Sequence, residues 1–477
     1  MSSTSATHIL VFPYPAQGHM LPLLDLTHQL SLRGLIITIL VTPNNLPTLT
    51  PLLSANPSIQ TLLLPFPPHP QLPQGVENVK DIGNAGNLPI INALAKLHDP
   101  LLHWFTSHPS PPVAIISDFF LGWTLRLAHQ LNLPRIAFFS SGAFLASVLD
   151  YLWRQDAEAL RSLPAVDFAD LPGSPSLKQD HLPSLWRFYR ESDPDTKFLK
   201  DGVLANFASW GCIFNSFHQL EGRYLDYLSR RLMVIGGQDN ARVYGVGPLS
   251  LVGIVTSNGN PEEDPHSAGI MSWLDACPDA GSVLYVCFGS QKLLNKQQVE
   301  ALASGLQKSG TRFIWVVKTG TEAGFVPEGF EELVGERGLI IKGWAPQVTI
   351  LSHRAVGGFL SHCGWNSVLE GIVGGAMILG WPMEADQFVN ARLLVEEMGV
   401  AVRVCEGAHS VPDPEHLARV IDESMVGDTA MKVRAKEVRD KAFEAVTTTN
   451  GSSSRDLDAL VKHLEHLPPY PAEISFC

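Results

Sequence analysis

Residues 344–387 read WAPQVTILSHRAVGGFLSHCGWNSVLEGIVGGAMILGWPMEADQ and contain the clearest fold signal in the chain. The apolar run Val356 to Leu360 is typical of a buried strand, and a helical pattern then extends to about Val373. A second apolar run, Met377 to Leu379, follows this helix. Strand, helix and strand in this order predict one right-handed unit of a parallel, doubly wound sheet.

The residues between this strand and this helix, HCGWNS at positions 362–367, have the chemistry of a phosphate site. The first turn of a helix presents backbone N–H groups and the positive end of the helix dipole, which bind anions without Lys or Arg. His362, Asn366 and Ser367 add side-chain donors. Such a site suits a chain of formal net charge −13 that must hold a diphosphate. The alternative is an ordinary capped helix behind a buried strand.

Strand and helix signals alternate in the same way on both sides of a polar stretch at 253–267. We therefore predict an α/β chain of two Rossmann-like, doubly wound domains, residues 1–250 and 268–477, joined by a linker at 251–267. Because ligands bind at the carboxyl ends of parallel strands, two such domains facing each other across a cleft would bind one ligand each. The other runs predicted as strands are His8 to Phe12, Leu35 to Val41, Ile59 to Leu64, Val113 to Ser117, Arg135 to Phe139, Val283 to Phe288, Phe313 to Val317 and Leu339 to Ile341. Helical patterns cover Met20 to Ser31, Trp123 to Leu131 and a charged tail from about Asp428 to His463.

Composition and charge argue against several classes of protein. A formal net charge of −13 disfavours nucleic-acid binding, which needs a cationic surface. The six cysteines are scattered without a CxxC pair, which predicts reduced thiols in a cytosolic protein. We find no secretory signal, and no apolar run reaches the roughly 20 residues of a membrane helix. We therefore expect a cytoplasmic monomer that binds small molecules, does not bind nucleic acid and does not span a membrane.

The 44 residues at 344–387 resemble the signature box of the plant family 1 UDP-glycosyltransferases over its whole length. WAPQ, HCGWNS, a Glu three residues after that Ser, and the closing DQ stand at the family spacing. A weaker resemblance covers the rest of the chain, including QGH at 17–19 and FGS at 288–290. The resemblance implies the two-domain GT-B fold and sugar transfer with inversion. It also implies that the last helix packs back on the first domain.

The resemblance further implies how the box holds a UDP-sugar. Trp344 resembles the platform on which uracil stacks, and Glu370, one helical turn after Ser367, could accept from both ribose hydroxyls. Asp386 and Gln387 resemble the residues that bind the hydroxyls of the sugar, and Gln387 is typical of glucose users, as is Trp365. Donor-binding residues on this interpretation are Ser290, Trp344, Ala345, Pro346, Gln347, His362, Cys363, Gly364, Trp365, Asn366, Ser367, Glu370, Glu384, Ala385, Asp386 and Gln387.

His19 and Asp118 are the candidate catalytic residues. His19 ends the loop that follows the first predicted strand, and Asp118 directly follows the run Val113 to Ser117 in the same sheet. An imidazole can take a proton from a phenol or an alcohol near neutral pH, and an Asp behind it fixes the tautomer. The family uses such a dyad, and both positions match. The alternative for Asp118 is a cap of the helix that begins near Gly122.

These residues predict that glucose moves from UDP-glucose to a hydroxyl of a small apolar acceptor, a flavonoid or other phenolic, giving a β-glucoside. The chain as a whole resembles flavonol glycosyltransferases, one of which uses UDP-rhamnose, so a rhamnosyltransferase is the alternative, and terpenoid or hormone acceptors stay open. Ser140, after the run Arg135 to Phe139, could reach a sugar hydroxyl. Aromatic residues that could line the acceptor pocket, with Phe119 and Trp186 foremost, are Phe119, Phe120, Trp123, Phe139, Phe144, Trp186, Phe188 and Phe198.

Other enzyme classes lack their motifs. A dehydrogenase would need G-x-G-x-x-G after the first strand, but the loop Pro13 to His19 contains one glycine, and no P-loop is present. A sugar-nucleotide epimerase could share the fold, and a carrier without activity would be expected to lack His19 or Asp118. Two D-x-D matches, at 193–195 and 456–458, do not follow strands, so we interpret them as chance and predict no metal and no cofactor.

Overall fold

A computed structural model describes residues 7–236, 242–253, 265–289, 292–318, 325–427 and 429–470 of the chain. These residues form two compact units. Unit 1 comprises the described residues of Met1–Gln179, Leu185–Asn258 and Ala445–Cys477. Unit 2 comprises those of Asp180–Ser184 and Gly259–Glu444, so it includes a short segment from the first half of the sequence.

The described part of unit 1 is built on a seven-stranded parallel sheet in the order β3-β2-β1-β4-β5-β8-β9. The strand order reverses between β1 and β4, which makes their carboxyl ends the place where such sheets bind ligands. Strands β6 and β7 form a separate antiparallel pair. The strands are β1 (His8–Phe12), β2 (Ile36–Val41), β3 (Gln60–Leu63), β4 (Ala114–Asp118), β5 (Arg135–Phe139), β6 (Ala165–Asp167), β7 (Ser176–Lys178), β8 (Gly211–Phe214) and β9 (Val243–Gly245).

The described part of unit 2 repeats the design with a six-stranded parallel sheet in the order β12-β11-β10-β13-β14-β15. Its strand order reverses between β10 and β13. Side chains alternate across this sheet, so Leu284 and Val286 belong to one apolar cluster and Val283 and Tyr285 to the other. The strands are β10 (Val283–Cys287), β11 (Arg312–Val317), β12 (Gly338–Lys342), β13 (Val356–Ser361), β14 (Met377–Gly380) and β15 (Ala401–Arg403). The predicted fold class, α/β with two doubly wound Rossmann-like sheets, is confirmed.

Helices connect the strands of both sheets, as parallel pairing requires. A π-helical turn, Leu393–Glu397, continues one of them. The helices are α1 (Gln17–Leu32), α2 (Thr50–Ala55), α3 (Asn87–Leu94), α4 (His98–Ser107), α5 (Thr124–Gln130), α6 (Ala143–Arg154), α7 (Ala157–Arg161), α8 (Ser184–Arg187), α9 (Pro194–Phe207), α10 (His218–Gly236), α11 (Pro265–Asp275), α12 (Lys296–Lys308), α13 (Phe330–Val334), α14 (Gln347–Leu351), α15 (Trp365–Gly374), α16 (Gln387–Arg392), α17 (Pro414–Met425), α18 (Ala430–Thr447) and α19 (Ser452–Glu465).

The structure corrects several local predictions. His19 was expected in a loop but lies in the first turn of α1, which begins at Gln17. The first N–H groups of a helix have no partner within the helix, so a glycine such as Gly18 is tolerated there although it suggests a loop. The charged tail is two helices, α18 and α19, and Leu457, Leu460 and Leu464 of α19 pack in the core of unit 1.

Three aspartates of the two D-x-D matches, Asp193, Asp456 and Asp458, have carboxylates with structural partners. Asp193 accepts from the backbone N–H of Asp195 and caps α9, so this match is a helix start and not the polar loop that the sequence suggested. Asp456 accepts from the N–H of Gly245 at 2.8 Å, and Asp458 pairs with Arg33 at 2.9 Å. Pro265–Ser267, the end of the predicted linker, are the first residues of α11, and residues 254–264 of that linker lie outside the described residues.

Candidate active site

The point where the strand order of unit 1 reverses brings the two predicted catalytic residues together. His19 lies in the first turn after β1, and Asp118 ends the neighbouring strand β4. His19 Nδ1 is 3.0 Å from Asp118 Oδ2, and the carboxylate is fully buried whereas the imidazole is 20% exposed. Asp118 Oδ1 accepts from the N–H of Phe120 at 2.9 Å, so Asp118 caps the 3-10 turn Phe119–Leu121 and not the helix expected near Gly122, which is α5 with Trp123 as its N-cap.

Aromatic rings surround the imidazole of His19. Phe119 stacks on it at 5.4 Å between ring centroids, Phe120 lies at 4.6 Å, and the edge of Tyr14 lies at 5.3 Å. Tyr14 donates its hydroxyl to Asn87 Oδ1 at 2.8 Å. Burial, with Asp118 nearby, raises the pKa of Tyr14 well above its ordinary value, so the phenol keeps its proton. Because Nδ1 faces Asp118, Nε2 is the ring nitrogen that points away from this carboxylate.

The other candidates of unit 1 differ in their surroundings. Phe119 contacts His19, as an acceptor-pocket residue should, but Trp186 is fully buried beneath the guanidinium of Arg161. Ser140 is nearly buried between β5 and α6, and its role toward a sugar hydroxyl stays a prediction. The N–H groups of Ala143 and Phe144 at the start of α6 both donate to the buried carboxylate of Glu221. The first turn of α6 is therefore already bonded to an internal anion.

In unit 2 the predicted phosphate segment lies at the corresponding point. Helix α15 begins at Trp365, directly after β13 and the turn 362–364, and its N-cap Gly364 supplies no side-chain hydrogen bond. Cys363 has φ of 64°, a left-handed conformation that is uncommon for a residue with a side chain. Residues in such conformations cluster at active sites and ligand-binding turns. The first turn of α15 has the geometry expected of an anion site.

His362 is packed between two glycines at this turn. A Cβ atom on Gly289 or on Gly364 would lie 2.7 or 2.6 Å from the imidazole, so the ring approaches the backbone because both side chains are absent. Its Nδ1 is buried and has no hydrogen-bond partner among the described residues. Burial lowers the pKa of His362 to about 4, so the ring is neutral near pH 7 and keeps one N–H for a ligand oxygen.

The residues predicted for uracil and ribose form one hydrogen-bonded group. Gln347 Nε2 donates to the carboxylate of Glu370 and, at 3.3 Å, to Ser367 Oγ. Gln347 Oε1 accepts from the hydroxyl of Tyr285 at 3.2 Å, a buried residue of β10 that sequence reasoning missed. Trp344 is 61% exposed, an unusual position for a large ring and one that leaves its face open for stacking.

The residues predicted to hold the sugar lie where α16 begins. Asp386 Oδ2 accepts from Asn390 Nδ2 at 2.8 Å, and the same amide donates to the carbonyl of Cys363 at 3.0 Å. Asn390 is buried and joins the turn 362–364 to Asp386, a contact that sequence reasoning missed. Its spacing of four residues from Asp386, on one face of a helix, is the signal that could have indicated it.

Gln387 differs from its prediction. Its Oε1 accepts from the N–H groups of Met383 and Glu384 at 2.9 and 3.0 Å, and the side chain is buried. The amide was expected to offer both an acceptor and donors to the sugar. Because the oxygen already binds two backbone N–H groups, only the Nε2 donors of Gln387 could serve a hydroxyl.

The segment at 180–184 supports the same loop from a distant part of the sequence. Ser184 Oγ accepts from the N–H of Ala385 at 2.8 Å, and the N–H of Ser184 donates to the carbonyl of Ala385 at 3.2 Å. His181 stacks on Phe388 at 4.5 Å. Ala385 has φ of 57°, a left-handed conformation. Ser184 therefore binds both the N–H and the carbonyl of a residue in this conformation. Ser184 was not predicted, and Ser290, which was, lies outside the described residues.

Comparison with known proteins identifies the family of this chain. A family model described as "UDP-glucoronosyl and UDP-glucosyl transferase" matches residues 248–443. UDP-glycosyltransferase 89A2 of Arabidopsis thaliana is 54% identical over 461 residues, which cover 96% of each chain. The chain belongs to the plant family 1 UDP-glycosyltransferases. The predicted family and enzyme class are thereby confirmed.

Two further relatives bear on this glycosyltransferase. Flavonol 3-O-glucosyltransferase UGT89B1 of Arabidopsis thaliana is 48% identical over 474 residues, which cover 97% of each chain. The crystal structure of Arabidopsis thaliana UGT89C1 complexed with UDP-L-rhamnose is 39% identical, with a TM-score of 0.80, over 96% of this chain and 99% of that one. This similarity confirms the GT-B fold. Within the described residues we find neither a helix able to span a membrane nor a cluster of three metal-ligating side chains.

Proposed function

We propose that this glycosyltransferase moves glucose from UDP-glucose to a hydroxyl of a flavonoid or other phenolic acceptor, with inversion at the anomeric carbon. The observation that carries the proposal is the 3.0 Å contact between His19 Nδ1 and the fully buried carboxylate of Asp118. A flavonol acceptor is supported by the name of the relative UGT89B1, a flavonol 3-O-glucosyltransferase.

His19 acts as the general base. Its Nε2 takes the proton of the acceptor hydroxyl as the oxygen attacks the anomeric carbon. The bond from that carbon to the diphosphate oxygen breaks, and UDP departs with the electron pair from the opposite face of the sugar. An α-linked donor thus gives a β-glucoside. Asp118 holds the ring in one tautomer and stabilises the imidazolium, which afterwards releases its proton to solvent.

Unit 2 binds the donor through groups that need no cation. The N–H groups of the first turn of α15 and the neutral imidazole of His362 bind the diphosphate and stabilise the charge that develops on it. Trp344 stacks on uracil, Ala345 and Gln347 contact the edge of the base, and Glu370, which accepts from Gln347 Nε2, binds the ribose hydroxyls. Asp386 and the amide nitrogen of Gln387 bind sugar hydroxyls. We further propose a cytoplasmic monomer that works without metal or cofactor.

UDP-rhamnose is the competing donor, because the similar structure UGT89C1 was solved with UDP-L-rhamnose. We favour glucose because Gln387 and Trp365 are the residues typical of glucose users in the family. Incubation of one flavonol with equal concentrations of UDP-glucose, UDP-galactose, UDP-rhamnose and UDP-glucuronate, followed by mass spectrometry, tests the donor. A glucoside is the expected main product. A dominant rhamnoside would overturn the donor assignment and leave His19 as the base.

The acceptor is tested in the same assay with a panel of flavonols, simple phenols, terpenoid alcohols and hormones at equal concentration. We expect the flavonols to give the highest kcat/KM with UDP-glucose. A higher kcat/KM for a terpenoid alcohol would overturn the acceptor class. Omission of divalent cations in the presence of a chelator should leave the rate unchanged, and loss of turnover that magnesium or manganese restores would refute the metal-free proposal.

A further inference from the structure

Arg135 is a buried cation behind the catalytic pair. It is the first residue of β5, the strand next to β4, and only 1% of its surface is exposed. Within the described part of the chain no carboxylate lies within ion-pair distance of its guanidinium. Removing an unpaired charge from water is expensive, and an apolar residue of similar size would be the cheaper way to fill this space. The position therefore calls for a specific reason to hold a guanidinium.

Two hydrogen bonds of Arg135 reach the end of β4, and two others reach Asn206 and, at 2.9 Å, Ser209 Oγ. Nε donates to Ser117 Oγ at 3.0 Å, and one Nη donates to the backbone carbonyl of Asp118 at 3.2 Å. The other Nη donates to Asn206 Oδ1 at 2.7 Å, and Asn206 Nδ2 donates in turn to the carbonyl of Phe119 at 2.9 Å. Arg135 and Asn206 thus hold the backbone at two residues. One is Asp118, which orients His19, and the other is Phe119, which stacks on His19.

The charge of Arg135 also faces this site. The titratable groups around it are Asp118 on β4 and Cys212 on β8, and Asp118 in turn faces His19 and Tyr14. Burial raises the pKa of Cys212 to about 12, so this thiol is neutral. Burial lowers the pKa of Arg135 to about 10, which leaves the guanidinium charged at neutral pH. Asp118 is therefore the anion that this cation faces.

We propose that Arg135 is a positioning residue for the pair of His19 and Asp118. Through Asn206 and its own hydrogen bonds it fixes the turn at Asp118 and Phe119. Its buried positive charge acts on the carboxylate of Asp118, so the electrostatic field at the pair depends on Arg135. The inference rests on the proposed role of His19 as the base, and it assigns to a buried residue outside the family box a part in setting the pH at which that base works.

The test compares Arg135→Met, Arg135→Lys and Arg126→Met, the last a change of an exposed arginine on α5. Histidine ring signals are followed by NMR from pH 4.5 to 8.5, with the His19 signal assigned by its loss in His19→Gln. The acidic limb of kcat/KM is measured in parallel. UDP binding and thermal unfolding report whether each variant is folded.

Loss of the positive charge should make His19 protonate at higher pH. In Arg135→Met we expect the midpoint of the His19 signal and of the acidic limb to rise by about half a pH unit or more. kcat should fall at least roughly tenfold, the change that about 1.4 kcal/mol produces. Arg135→Lys keeps the positive charge but loses the planar set of guanidinium donors. The midpoint of the His19 titration should therefore stay unchanged, and kcat should fall. Arg126→Met should match the wild type in both.

An unchanged midpoint in folded Arg135→Met would overturn the proposal and leave Arg135 a structural residue. If that variant does not fold, Asn206→Asp is tested in its place. This change puts a carboxylate of the same shape against the guanidinium. The midpoint of the His19 titration must then rise as well. Because the NMR titration does not depend on turnover, it still tests the link to Arg135 even if His19→Ala were active and the proposed base were wrong.

Discussion

The two sheets place a histidine at the same point of their topology and give it opposite surroundings. His19 follows β1 beside β4, where the strand order of unit 1 reverses, and the buried Asp118 carboxylate lies 3.0 Å from its ring. His362 follows β13 beside β10, where the order of unit 2 reverses, and its ring is packed against Gly289 and Gly364. A carboxylate prepares an imidazole to receive a proton, whereas desolvation without one keeps it neutral. The neighbouring residues, and not the position in the fold, therefore distinguish the two histidines.

The two helices that follow strands at these sheets show the same principle. The first turn of α6 in unit 1 donates two N–H groups to Glu221. Both α6 and α15 begin after a glycine N-cap, Gly142 and Gly364, that supplies no side-chain hydrogen bond. Both helices carry the same dipole, but an internal carboxylate already neutralises that of α6. The carboxylate of Glu221 therefore disfavours a second anion at α6, and the diphosphate proposed above lies at α15 instead.

The largest effect is expected at the histidine with the carboxylate. His19→Ala should lower kcat by roughly 10²–10⁴, the contribution of a general base, and leave the affinity for UDP nearly unchanged. Steady-state kinetics and calorimetry with UDP measure the two quantities. His103→Ala, an exposed histidine on α4, is the matched control and should behave as the wild type. More than half of the wild-type kcat in His19→Ala would remove this residue from the mechanism.

The other histidine should affect stability in acid. The pKa of His362 is about 4 in the folded chain and near the ordinary 6.5 once unfolded, so the unfolded chain binds the proton first. Stability contributed by the neutral ring is present above about pH 6.5 and is lost as the pH falls toward 4. The loss is at most roughly 3 kcal/mol, and less to the extent that the partly exposed residue is hydrated.

Urea unfolding at several pH values measures this loss. Between pH 7 and 4.5 the free energy of unfolding of the wild type should decrease more than that of His362→Gln, which has no group to titrate there. His409→Gln, a change of an exposed histidine in unit 2, should follow the wild type. Parallel curves for the wild type and His362→Gln would show that burial does not keep the ring neutral.

Substitution of His362 should also separate donor binding from proton transfer. We expect His362→Ala to weaken UDP binding about tenfold to a hundredfold, because a hydrogen bond to a charged group contributes about 1.5–3 kcal/mol. His19→Ala should not do so. Calorimetric titration of both variants with UDP decides, and equal affinities for UDP in the two variants would contradict the division of roles between the two histidines.

Sequence alone predicted the features that local patterns encode. The run Arg135 to Phe139 has the bounds of β5, and the strand before the phosphate turn was placed within one residue, because buried parallel strands are continuous apolar runs. The sequence positions of His19 and Asp118 at neighbouring strand ends were sufficient to bring them together. Their catalytic roles stay a prediction.

The features that sequence reasoning missed depend on contacts between distant residues. Arg135 is an ordinary strand residue in the sequence, and only the fold shows that its guanidinium reaches the carbonyl of Asp118. The oxygen of Gln387 is taken by two N–H groups of its own turn, which a residue type cannot reveal. Ser184 is 201 positions from Ala385, and no periodicity connects them.

The smallest effect is expected at Ser184. Ser184→Ala removes the acceptor of the Ala385 N–H, and a single neutral hydrogen bond contributes about 0.5–1.5 kcal/mol. The loop that carries Asp386 should then be held less firmly, so we expect KM for UDP-glucose to rise about twofold to tenfold with little change in KM for the acceptor. Steady-state kinetics with each substrate varied in turn measure this, and Ser272→Ala on the exposed side of α11 is the control.

A second substitution shows whether the effect acts through the backbone of Ala385. The left-handed conformation of this residue, with φ of 57°, costs about 1–2 kcal/mol for a residue with a Cβ atom and almost nothing for glycine. Ala385→Gly in the Ser184→Ala background should therefore recover part of the donor KM, because the loop then needs less support. If Ser184→Ala leaves the donor KM unchanged, the loop that carries Ala385 and Asp386 is rigid without Ser184. If KM rises but glycine does not lower it, the hydroxyl of Ser184 acts by a route other than the backbone of Ala385.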